Sequence, residues 1–100
     1  METTALEIKS VLLKKGELVL RALNHKLRQD IIALIHENGE INVTEIYMRL
    51  NLEQTVVSQH LSVLRKAGFV TTRREGKQVF YTVNYGKLEH VQSSVLALIL

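Results

Sequence analysis

One hundred residues, 46% of them apolar and 23% charged, suffice for one domain with a small core; they exclude a disordered polar tail and, since the longest apolar run is Val95 to Leu100, a membrane-spanning helix. With no cysteine there can be no disulfide, thiolate metal site, Cys nucleophile or thiol switch, and with no apolar leader in residues 1–10 a cytoplasmic address is expected. The net charge is +3, but residues 54–87 hold six Lys/Arg against the single acid Glu75, which is either an ordinary solvated face or a surface for phosphate backbones or anionic membrane.

In chain order, residues 3–22 predict a first helix. Leu6, Leu13 and Leu20 recur every seven positions, shadowed by Ala5, Leu12 and Val19, which makes a broad apolar stripe. Gly16 inside it costs about 1 kcal/mol relative to Ala and is a candidate bend. Asn24 is the expected N-cap of a second helix over 25–37, with Leu27, Ile31, Leu34 and Ile35 inward and Asn38-Gly39 as its left-handed stop. Asn42 and Glu45 form an Asn-x-x-Glu capping box opening a helix over 43–50, whose apolar stripe is Val43, Ile46, Tyr47 and Leu50. After Asn51-Leu52, a fourth helix over 54–66 turns Val57, Leu61 and Leu64 inward and closes at Ala67-Gly68. The period then changes. Residues 69–73 and 78–83 are rich in β-branched and aromatic side chains and flank Arg74-Glu75-Gly76-Lys77, which reads as a hairpin. A last helix over 85–100 gathers Leu88, Val91, Val95, Leu98 and Ile99 on one side.

The expected class is mainly α with a small β-hairpin, in the order α-α-α-α-β-β-α, over one domain spanning 1–100. Helices 43–50 and 54–66 form a helix-turn-helix and the hairpin behind them a wing. Such a motif lays its second helix in the major groove of double-stranded DNA. The outward residues of helix 54–66 are Gln54, Thr55, Ser58 and Gln59, then Ser62 and Arg65. These are short hydrogen-bonding groups where an ordinary exposed face would hold Lys and Glu, and a Gln amide can bridge adenine N6 and N7. Arg73, Arg74 and Lys77 on the hairpin are spaced to straddle phosphates or enter the minor groove, and Gly76 supplies the positive φ of a tight turn.

Of the four histidines, His60 is expected to pack or to touch phosphate. His25 and His36, eleven residues apart, are too distant to share a ligand, and His90 is expected at the surface. The terminal helices carry more apolar surface than so small a core can hide. Either they pack on each other within one chain or they form a dimer seam; a homodimer is expected, with Leu6, Leu13, Leu20, Val95, Leu96 and Ile99 in the seam.

The segment Val57-Ser58-Gln59-His60-Leu61-Ser62-Val63-Leu64-Arg65-Lys66-Ala67-Gly68-Phe69-Val70 resembles the recognition-helix signature of the ArsR/SmtB family of bacterial winged-helix repressors. Arg73-Arg74-Glu75-Gly76-Lys77 followed by Tyr81 resembles that family's wing, and Leu23 to Arg28 the start of its second helix. The likeness spans most of residues 18–84. It implies a homodimer held by its first and last helices, binding a palindromic operator and blocking transcription, with Gln54, Thr55, Ser58 and Gln59 reading bases; His60, Arg65, Arg73, Arg74 and Lys77 are the residues expected on the DNA backbone. One departure is Glu53, where the family often places a Ser N-cap; a carboxylate can cap too and suits the helix dipole.

The other departure concerns the signal. Metal sensors of the family use a Cys motif on the third helix or paired His and carboxylate ligands on the last. Here the third helix has no thiol, and the last offers only Glu89 and His90, adjacent and so about 100° apart. Zinc wants four ligands, mostly N or S. No metal and no cofactor are therefore expected, nor a membrane partner, and the inducer is unknown. A winged-helix protein-interaction module would present an acidic or apolar recognition face. An enzyme would need a Gly-rich phosphate loop or a His-carboxylate-Ser set, and neither is present.

Overall fold

The computed structural model describes residues 6–100. Its core centres on three helices and the turn that follows the last of them: Ile31, Ile35, Ile46, Val57, Leu61, Leu64 and Phe69 have no solvent exposure. Around it run α1 (Ser10–Leu23), α2 (Lys26–Asn38), β1 (Ile41–Asn42), α3 (Val43–Leu50), α4 (Gln54–Lys66), β2 (Val70–Glu75), β3 (Gln78–Val83) and α5 (Tyr85–Ile99). This is a winged helix-turn-helix, mostly helical, with one small antiparallel sheet in the order β1-β3-β2.

The helices from α2 to α4 begin and end close to their predicted bounds, for visible reasons. The Asn42 side chain accepts the Glu45 N–H at 2.9 Å, so half of the expected capping box forms; the Glu45 carboxylate turns instead to Arg49, one turn on. Asn51 closes α3 in the left-handed region (φ 54°), which Asn tolerates better than other non-glycine residues. Gly68, at φ 87°, ends α4 while the Phe69 N–H bonds back to the Leu64 carbonyl, which drives the Phe69 ring into the core.

Four expectations need correction. The first helix begins at Ser10 rather than residue 3; residues 3–5 of that expectation lie outside the described residues. Leu6 and Ile8 precede the helix and pack on nothing, at 90% and 67% exposure. An apolar stripe with no surface to lie on does not sustain a helix by propensity alone. Leu6 thus does not share a helical face with Leu13 and Leu20. α1 itself runs through Gly16 without interruption. Second, Asn24 caps the end of α1, its N–H donating to the Leu20 carbonyl. His25 is the N-cap of α2, accepting the Leu27 N–H on Nδ1. Third, Glu53 precedes α4 in extended conformation but makes no side-chain capping bond.

The fourth concerns the sheet. It has a third strand, Ile41–Asn42, paired with Tyr81 and Phe80 of β3. Two residues carry too little period to be seen in a sequence. The hairpin is also tighter than expected, since β2 runs on to Glu75, which pairs with Gln78, leaving Gly76-Lys77 as the whole loop. Gly76 takes φ 61° at the first loop position, where primed turns favour glycine.

Candidate nucleic-acid interface

Three buried residues spaced along α4, namely Val57, Leu61 and Leu64, anchor it to the core and thereby fix which face looks outward. On that outer face Gln54, Thr55, Ser58 and Gln59 are all exposed, and none of their side chains makes a hydrogen bond among the described residues. Ser58, Ser62, Arg65 and Lys66 on α4 meet Tyr81 of β3 around a hollow of about 320 Å³ between the helix and the sheet. Sequence reasoning did not assign Lys66 or Tyr81 to this surface, because only the folded sheet brings position 81 beneath the helix.

The wing treats its three cations differently. Arg74 and Lys77 are exposed and unpaired among the described residues. Arg73 is clamped: it donates to both carboxylate oxygens of Glu40 (2.6 and 3.1 Å) and to Glu75 at 2.8 Å, and its guanidinium lies 4.8 Å from the centre of the Phe80 ring. Its hydrogen bonds hold the Glu40 carboxyl below the usual carboxylate range and push its own pKa up. The clamp ties the wing to the segment before β1. Nothing in the sequence flagged Glu40, because its partner lies 33 residues away.

This clamp is worth more above the ordinary Glu pKa than below it. The Glu40 pKa is lowered by folding, so its contribution is fully present above pH 4.5 and disappears as pH falls through the depressed folded value. Tm measured by circular dichroism should therefore fall on acidification below that point, and Glu40→Gln should flatten this segment of the profile. An unchanged profile in the variant would show that the pair contributes nothing, as many exposed pairs do.

The histidines also find partners that sequence spacing did not reveal. The His60 ring is half-buried, 4.9 Å from that of His25, with Nδ1 3.3 Å from the Arg28 guanidinium. His36 Nδ1 lies 2.6 Å from the Tyr85 hydroxyl, joining α2 to the start of α5. His90 is exposed. Among the described residues no three His, Asp or Glu side chains stand close enough to hold a metal ion, and α5 brings nothing to Glu89 and His90.

The family model described as bacterial regulatory protein, arsR family, matches residues 25–72, which run from the N-cap of α2 into the wing. The chain is also 37% identical over 81 residues to the biofilm growth-associated repressor of Agrobacterium fabrum, covering 81% of this chain and 68% of that protein.

The chain belongs to the ArsR family.

Transcriptional activator HlyU of Vibrio cholerae is 40% identical over 70 residues, 70% of this chain but only 64% of its own length. Among solved structures, a homodimeric winged helix-turn-helix DNA-binding domain from Mycobacterium bovis, described as a possible ArsR-family regulator, superposes with a TM-score of 0.75 at 25% identity, over 96% of this chain and 89% of that one. ArsR-family proteins are transcriptional regulators and not enzymes, so the enzymatic alternative falls.

The terminal helices of this ArsR-family chain also expose apolar side chains. Leu13, Leu20, Leu96 and Ile99 are 40–75% exposed, and Val95 is half-buried. Between α1 and α5 lies an open cleft of about 470 Å³ walled by Leu20, Leu23, Val91, Val95, Leu96 and Ile99. The radius of gyration is 17.0 Å, against about 13 Å for a compact chain of this length. Both terminal helices thus present apolar faces that one subunit leaves wet. No helix among the described residues is long and apolar enough to cross a membrane.

Proposed function

We propose that this protein is a cytoplasmic homodimeric repressor that binds a palindromic operator in double-stranded DNA. The observation that carries the reading is the outer face of α4, where four hydrogen-bonding side chains stand exposed, with no side-chain partner among the described residues, beside unpaired cations. Gln54, Thr55, Ser58 and Gln59 read base edges in the major groove, while Arg65, Arg74 and Lys77 hold phosphates. Arg73 braces the wing from within, through Glu40, and contributes little charge to the backbone. The apolar faces of α1 and α5 close on those of a second subunit, which sets two recognition helices on one side of the duplex. That the similar Mycobacterium bovis domain is homodimeric supports the dimer.

Selection of bound duplexes from a random library tests the whole reading. An inverted repeat should be enriched; enrichment of a single half-site, or of nothing, would overturn it. On the selected operator, Gln54→Ala or Ser58→Ala should cost about 1–3 kcal/mol and relax preference at one base position. Arg74→Ala or Lys77→Ala should weaken all duplexes alike and lower the salt slope by about one counterion each. Fluorescence anisotropy on operator and random DNA across a salt series separates the two classes. Equal losses on both duplexes for the helix variants would remove the base-reading roles.

A further inference from the structure

Arg28 touches two other helices at once. Its Nε and Nη2 donate to the carbonyls of Ala22 and Arg21 in the last turn of α1, at 2.6 and 2.9 Å, while Nη1 lies 3.3 Å from His60 Nδ1 on α4. A guanidinium has no acceptor, so Nδ1 must accept and the neutral ring must carry its proton on Nε2. The contact exists only while His60 is neutral. A proton on Nδ1 would remove the acceptor and set a cation against a cation.

The two side chains that meet the ring do not welcome that proton. The ring of His25, the N-cap of α2, lies 4.9 Å from it at a 48° tilt, beside Arg28. On α2, Asp30 is paired with Lys26; on α1, Arg21 with Glu17; on α3, Glu45 with Arg49; on β2, Arg73 holds Glu40 and Glu75, and Arg74 is a further cation. On α4 itself, Arg65 and Lys66 add positive charge. Burial first, then the charges of His25 and Arg28, lower the His60 pKa from 6.5. A lowered histidine pKa means that the stability of the contact is complete above pH 6.5 and lost as pH falls through the folded value.

We propose that Arg28 is a positioning residue, latching the recognition helix to the end of α1 through neutral His60, and that proton uptake at His60 Nδ1 opens the latch. Its effect on DNA rests on the reading above: α1 belongs to the dimer seam and α4 to the base-reading face, so the latch sets how the two recognition helices stand apart. Opening it costs operator binding more than random-duplex binding, which tolerates misplacement.

Two measurements on the full chain test this. In the free protein, NMR titration of the ring protons should place His60 below 6.5, and Arg28→Gln should raise it, since the charge is gone and the amide oxygen can accept from a protonated ring. On DNA, the ratio of operator to random-duplex affinity should fall below the His60 titration, by about tenfold per pH unit for each of the two latches that must close. His60→Asn offers an oxygen near the Nδ1 position that accepts from Arg28 without titrating, so its ratio should stay flat with pH. His60→Ala should give a low ratio at every pH. The latch is overturned if Arg28→Gln leaves the His60 titration unmoved, or if wild type and His60→Asn share one pH profile. Absence of binding to any duplex defeats the DNA reading instead, and the NMR arm still decides the latch.

Discussion

Glu at both Leu96 and Ile99 should leave a folded monomer that holds its operator at least about a hundredfold more weakly than wild type. Both side chains are largely exposed in the single subunit, at 53% and 75%, so charging them removes nothing from the core. In the proposed dimer each would instead bury about 1.5–3 kcal/mol of apolar side chain, and symmetry counts each twice. Without the seam, the second half-site is no longer presented at high effective concentration, which is worth about 10²–10⁴ in affinity. Sedimentation equilibrium gives the oligomeric state, circular dichroism the fold, and anisotropy the affinity. Wild-type protein that sediments as a monomer at tens of micromolar would end the dimer reading.

A comparable loss, but of stability rather than of binding, is expected from Phe69→Ala. Phe69 has no exposure; its N–H is held by the Leu64 carbonyl, its own carbonyl accepts the Asn84 N–H, and Asn84 also donates to Gly68 and caps α5 by accepting the Lys87 N–H. With backbone pinned on both sides, the site cannot collapse into the vacated space, and truncation should cost about 3–5 kcal/mol. That is a large part of the roughly 5–15 kcal/mol that keeps a domain folded. Urea denaturation should show the midpoint falling with the m-value unchanged. Gln54→Ala, on the exposed face of α4, should leave the unfolding free energy within about 0.5 kcal/mol of wild type. A Phe69 variant as stable as wild type would mean that the aromatic ring is not the keystone of the turn from α4 into the sheet.

The parts of this molecule legible in its sequence are those governed by short-range spacing. Val57, Leu61 and Leu64 are buried as their spacing requires, Asn42 caps α3, and Gly76 makes the wing turn. From the buried stripe of α4 the exposed Gln54, Thr55, Ser58 and Gln59 follow by exclusion. What escaped is contact between residues distant along the chain. Glu40 meets Arg73 and Arg28 meets His60 across 33 and 32 positions, and no local pattern announces a partner. The two-residue strand β1 is invisible for a related reason, since it exists only because β3 offers it an edge. The first helix failed differently. Its apolar repeat continues in sequence beyond Ser10, whereas the surface that would reward a helix in one subunit does not.

The wing has a two-residue loop and a fixed ladder in which Arg73 faces Phe80 and Arg74 faces Val79. Successive side chains in a strand point to opposite faces, so the clamped arginine and the free one belong to different sides of the same ribbon. Extending each strand by one residue would exchange those sides for everything nearer the tip. Extending each by two would restore them and carry the tip about 6.6 Å further. The wing is therefore a ruler with a coarse scale. Its length can change between related proteins only in paired steps if both the brace to Glu40 and the outward cations are to be kept, which gives a small set of permitted reaches across the groove.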